Sequence, residues 1–75
     1  MYLMVGEIIN KLDLHGVKHE DVDRIVENFV LLNESPMRII TGNSHKMREL
    51  VVKVLKRHKI NYEQFVSSHI SILGE

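Results

Sequence analysis

Met37-Arg38-Ile39-Ile40-Thr41-Gly42-Asn43-Ser44 is the stretch at which the hydrophobic period of this chain changes. Its first half is a short apolar run rich in β-branched residues, which predicts a buried strand stopped at Gly42. Beyond it, Met47, Leu50, Val51, Val54, Leu55 and His58 recur at helical spacing, with Asn43 or Ser44 available as N-cap. Upstream, Val22, Ile25, Val26, Phe29, Val30 and Leu32 form a second helical stripe between Glu20 and Asn33. Asn33-Glu34-Ser35-Pro36 ends it, because Pro36 disfavours helical geometry at Ser35. Before that helix, Ile8-Ile9-Asn10-Lys11-Leu12-Asp13-Leu14-His15 alternates through its second half and stops at Gly16, which predicts a strand ending in a turn. Downstream, Ile60 to Ser68 leaves a short strand and an irregular crossing both open for Tyr62 and Phe65. Ile70-Ser71-Ile72-Leu73 alternates and predicts the last strand, with His69 at its start. The order is β-α-β-α-(β)-β, and its connections are long enough for right-handed parallel crossovers.

Seventy-five residues make one small domain, expected over residues 1–75 with 1–7 as an N-terminal extension. With no cysteine, a disulfide framework, a thiolate zinc site and a cysteine nucleophile are excluded. Ten Lys plus Arg balance ten Asp plus Glu, so no global field marks a membrane or nucleic-acid binder. The start, Met1 to Ile9, lacks a basic segment and carries Glu7, unlike a signal peptide. A cytoplasmic setting without membrane contact is expected.

In parallel β-α units the loops leaving the carboxyl ends of the strands share one sheet edge, where ligands meet helix N-termini. Asp13-Leu14-His15-Gly16 and Thr41-Gly42-Asn43-Ser44-His45 are therefore expected to be neighbours across an intervening helix. On a strand, Asp13 and His15 would point to the same side, so the carboxylate could orient the imidazole and stabilise its protonated form. An imidazole titrating near neutrality suits transfer of the proton of a ribose hydroxyl or of a leaving oxygen. Backbone N–H groups at Asn43, Ser44 and His45 would offer an anion site for phosphate, and Arg48 could reach a phosphoryl group with several donors.

Leu12-Asp13-Leu14-His15-Gly16, followed by an acidic amphipathic helix and then by Ile39-Ile40-Thr41-Gly42 opening a basic helix, resembles the small MutS-related (Smr) domain family. That family is identified by an L-D-x-H-G motif and a T-G-x-G or H-G-x-G motif, in this order and at about this separation. The resemblance covers roughly residues 8 to 75. The first motif matches in full, whereas Ser44 stands at the second glycine of the second. The resemblance implies a two-layer α/β sandwich similar to the C-terminal domain of translation initiation factor three. It also implies nicking of DNA or cleavage of RNA, for some members on messages in stalled ribosomes, and for others binding alone. A basic residue linked to cleavage in the family has its best match here in Arg48.

These readings combine into an RNA endonuclease, with nicking of DNA kept open. Asp13 orients, His15 acts as acid or base, and Arg48 stabilises charge. Gly16, Thr41, Gly42, Asn43, Ser44, His45 and Lys46 hold the nucleic acid. Attack by the 2′-hydroxyl on the adjacent phosphate needs no metal, and no cofactor is expected, although a divalent metal stays open. His19 follows His15 by four, but the Gly16 turn breaks the spacing and no third ligand is in register. The alternatives are a nucleic-acid or ribosome-binding module without catalysis, and a protein-interaction unit using the acidic helix and Leu31.

Simpler roles compete for the same residues. Asp13 could be a strand-end carboxylate accepting local backbone bonds, and His45 an exposed first-turn residue. His58 suits the dipole at a helix end. Lys46, Arg48, Lys53, Lys56, Arg57 and Lys59 outnumber Glu49 along the second helix, while acidic residues dominate the first. The basic helix could track a phosphate backbone, yet Lys53 and Lys56 also simply occupy a solvated face. Lys18 stands at the N-cap place of the first helix and is a poor cap.

Overall fold

Helical and strand periods resolve into β1 (Asn10–Asp13), α1 (His19–Leu32), β2 (Met37–Ile40), α2 (His45–Arg57), β3 (Glu63–Val66) and β4 (His69–Ile72). The computed structural model describes residues 9–73, apart from the side chain of Phe65. The extension expected over residues 1–7, and Ile8 of the first predicted strand, lie outside the described residues. Residues 60–68, left open by the sequence, contain β3.

The four strands form one mixed sheet in the order β1-β2-β4-β3. β1 runs parallel to β2, with Leu12 opposite Ile39 and Asp13 opposite Ile40. β4 runs antiparallel to both β2 and β3. The final hairpin thus inserts its second strand between β2 and β3. A parallel crossover between adjacent strands is realised once, at β1–α1–β2.

Alternation along the strands decides which face is covered. Met37 and Ile39 of β2 and Ile70 and Ile72 of β4 are buried, and they pack with Val22, Val26 and Val30 of α1 and Met47, Val51, Val54 and Leu55 of α2. Leu12 and the fully buried Leu14 extend this layer past the end of β1. Burying one such aliphatic side chain contributes about 1.5–3 kcal/mol, so a cluster of this size is the main force holding helices to sheet. Residues of the other parity, Lys11, Asp13, Arg38, Ile40 and His69, lie on the helix-free face and are exposed or half-buried.

The α1 stripe holds except at its end. Leu32, expected to continue it, is 81% exposed, because the helix runs two residues past Val30, the last residue it buries. Leu31 is exposed as well. Lys18 is the N-cap of α1 and its side chain makes no capping bond. At the other end Asn33 Nδ2 donates to the Phe29 carbonyl at 2.9 Å, satisfying one of the last free carbonyls.

Part of the charge contrast between the helices is consumed between them. Arg57 donates to both Asp23 oxygens, at 2.9 and 2.7 Å, and His58 Nε2 lies 2.9 Å from Glu27 Oε2. The bonded Arg57 guanidinium holds the Asp23 carboxyl below its ordinary value, and Asp23 in turn raises Arg57. His58 is the C-cap of α2, its N–H donating to the Val54 carbonyl at 3.2 Å. Among the described residues no helix is long and apolar enough to cross a membrane.

Candidate functional site

Parallel pairing of β1 and β2 brings their carboxyl ends together. The Leu14 N–H donates to the Ile40 carbonyl at 3.0 Å, one residue past the last paired position. The Asp13–Gly16 turn and the Thr41–Ser44 loop are therefore neighbours along one edge of the sheet.

β1 stops at Asp13, and two local bonds explain why. Val17 N–H donates to the Leu14 carbonyl at 3.0 Å, with Gly16 at φ 81°. This is a β-turn whose third position needs the left-handed region, and glycine reaches it without a steric penalty. Asp13 Oδ1 accepts the His15 backbone N–H at 2.9 Å, an Asx-type bond that locks the same turn. The expectation that the Asp13 carboxylate would hold the His15 imidazole differs from this geometry. Past Asp13 the chain is no longer a strand, so the two-residue alternation behind that expectation ends, and the carboxylate fixes the backbone carrying His15 instead. His15 is exposed at the turn.

The second loop is pinned from a direction the sequence did not reveal. Thr41 N–H and Gly42 N–H both donate to the Ser68 carbonyl, at 2.9 and 3.0 Å. The buried Thr41 hydroxyl lies 3.0 Å from the Gly42 carbonyl and 3.2 Å from that of Ser68, able to donate to one at a time. Ser67 Oγ donates to Asn43 Oδ1 at 3.3 Å, and Arg48 donates to the Ser67 carbonyl at 2.9 Å. Ser67 and Ser68 are the two-residue turn between β3 and β4, and they form the third wall of the edge. A pair of small polar residues between Val66 and His69 was the available turn signal. It was obscured by the register shift between Glu63 and Val66, which spoils the alternation of β3.

Gly42 has φ 67°, so the positive φ demanded by this loop falls at the first motif glycine. Ser44 has φ −80° and ψ 114°, an ordinary extended conformation. Its side chain accepts the Met47 N–H at 3.1 Å and makes it the N-cap of α2. Serine in place of glycine therefore costs the backbone nothing and secures the helix start. Arg48 N–H is taken by the Ser44 carbonyl at 3.1 Å. The amides of Asn43, Ser44, His45 and Lys46 find no acceptor among the described residues and open toward the edge at the positive end of α2.

The remaining side chains sort onto flanks. His15 stands on the β1 flank. Arg48 is held on the flank of the β3–β4 turn, beyond two strand spacings of about 10 Å in all. The loop amides lie between them. His45 is exposed, with Nε2 3.4 Å from Glu49 Oε2 one helical turn on. Lys46 is exposed beside it. Among the described residues no three His, Asp or Glu side chains come together as a metal-ligand group.

In comparisons with protein-family models, with curated proteins and with solved structures, this chain matched none.

Proposed function

We propose that the strand-end edge binds the phosphodiester backbone of RNA and that the protein is a metal-independent RNA endonuclease of Smr-like type. One observation carries this reading: a single edge holds a histidine presented by a fixed turn, four amides at the start of α2 without acceptors among the described residues, and an arginine. Its motifs resemble those of the Smr domain. The element order and mixed four-stranded sheet fit the two-layer fold of the initiation-factor C-terminal domain that the resemblance implies. In this reading a phosphate sits on the amides of Asn43 to Lys46, between His15 and Arg48. The ribose 2′-oxygen attacks the adjacent phosphorus, and His15 takes the hydroxyl proton. The bond from phosphorus to the 5′-oxygen breaks, leaving a cyclic phosphate and, after protonation from water, a 5′-hydroxyl. Arg48 and the loop amides offset the charge that develops on the phosphoryl oxygens.

The test compares wild type with His15→Ala on end-labelled structured RNA in chelator, with DNA of matched sequence alongside. RNA cleavage by wild type alone supports the reading, whereas metal-dependent nicking of DNA refutes the mechanism. A second reading, binding without cleavage, draws on the Asp13 carboxylate being engaged by an amide rather than by the imidazole. RNA that is retained but uncut by both proteins selects it.

A further inference from the structure

The helix-free face of the sheet has not entered the function so far. Strand register places Lys11, Arg38, Ser71 and Glu63 in one row across β1, β2, β4 and β3. The next row on this face, nearer the strand-end edge, is Asp13, Ile40, His69 and Val66. Lys11 and Arg38 are thus directly opposed like charges, an arrangement that is unfavourable unless something compensates it. Neither has an acidic partner within salt-bridge distance among the described residues. Glu63 is in the same row, but β4 separates it from Arg38, about 9.5 Å away at ordinary strand spacing. Asp13 has one oxygen engaged by the His15 amide.

Arg38 carries a second anomaly. Its Nε is closed off from solvent and has no hydrogen-bond partner among the described residues. A buried, unpaired donor on a charged group is a cost that native structures rarely leave standing. Swinging the guanidinium away from the sheet forfeits no bond at Nε. It would also present a planar fork of donors of the kind that matches a phosphate or carboxylate. Two cations without counter-charge among the described residues, one of them under-bonded, call for an anion.

The position of this row favours one occupant. It lies two residues below the row that ends at the candidate edge, about 6.6 Å along the strands. A nucleic-acid strand gripped at the β2–α2 loop and turning onto the sheet would bring a neighbouring phosphate there. We propose that the helix-free sheet face is a second phosphodiester subsite, in which Arg38 and Lys11 bind a phosphate of the strand held at the Thr41–Lys46 loop. This rests on the nucleic-acid reading of the edge and extends it to the path the strand takes.

The experiment titrates wild type, Arg38→Ala and Arg38→Gln with 2′-O-methyl RNA of about ten nucleotides and with a dinucleotide. The modified sugar removes the attacking hydroxyl, so binding is read without cleavage. Arg38→Gln retains most of the side-chain stem, and circular dichroism checks both folds. The expected result is a loss of about tenfold in affinity for the long strand in both variants, with dinucleotide affinity unchanged. The slope of log affinity against log salt becomes shallower by about 0.7. The Arg38 Nε–H and Lys11 amide resonances of wild type shift with the long RNA. Wild-type affinity in both variants overturns the subsite, as does an equal loss for the dinucleotide. Shifts confined to His15 and residues 41–46 overturn the subsite and leave the edge standing. No binding of either RNA by wild type overturns both readings. An acidic peptide that shifts Arg38 where RNA does not assigns the face to a protein partner and overturns the proposal.

Discussion

Ser44→Asp separates what this residue does for the fold from what its neighbourhood does for a ligand. Ser44 is the N-cap of α2 and accepts the Met47 N–H. Aspartate is as good a cap as serine, and its charge suits the positive end of the helix, so stability should hold or rise by up to about 1 kcal/mol. Ser44→Ala removes the cap and should cost about 1 kcal/mol, a drop of roughly 4–8 °C in midpoint for a chain of this size. Binding should move the other way. A phosphate on the Asn43–Lys46 amides would lie about 5 Å from the new carboxylate. Coulomb's law gives a repulsion of about 3 kcal/mol at an effective dielectric near 20 and about 1 kcal/mol in bulk water. Affinity for RNA should fall between about fivefold and about 150-fold at low salt, and the deficit should shrink as salt is added. Thermal unfolding by circular dichroism and fluorescence anisotropy with labelled RNA measure the two effects on the same samples. If Ser44→Asp folds well and binds RNA like wild type, the helix start is not where phosphate sits.

Three further outcomes follow from the geometry. Thr41→Val keeps the shape of a buried side chain and removes the hydroxyl shared with Ser68 and Gly42, so urea unfolding should show a loss of about 1 kcal/mol. Cleavage should fall with it, and full activity in a destabilised variant would show that the loop needs no such anchor. Arg48→Lys keeps the charge but loses the planar fork; under the cleavage reading it should slow turnover more than it weakens binding, a split that kcat and KM report. Asp23→Asn bears on acid stability. Bonding to Arg57 lowers the folded Asp23 pKa below its ordinary value, so its contribution is present above the unfolded pKa and lost as pH falls through the folded one. The variant should therefore match wild type in strong acid and be the less stable of the two near neutrality, as urea midpoints across pH will show.

The elements that read clearly were those with long, uninterrupted periods. The stripes of α1 and α2 name the buried residues directly, with Leu32 as the exception, because periodicity does not say where the core ends. β2 and β4 were legible from their β-branched residues. β3 was not, since its register shift leaves no alternation to see. At the site, the meeting of two loops followed from β-α order alone, and the capping role of Ser44 was open to reading from its place before Met47. Two features were not readable. Whether Asp13 faces an imidazole or an amide depends on where the strand stops. The part played by Ser67 and Ser68 depends on how β4 pairs with β2, a contact between distant residues that no local pattern encodes.

The last strand in the sequence stands inside the sheet, between β2 and β3, and its leading turn supplies the carbonyl that fastens Thr41 and Gly42. No fragment ending before Ser68 contains an assembled edge, because β2 then lacks one neighbour and the Thr41–Ser44 loop lacks its anchor. Assembly of the edge and closure of the sheet are thus completed by the same event. A chain cut between α2 and β3 would keep every residue of both motifs and still fail to present them.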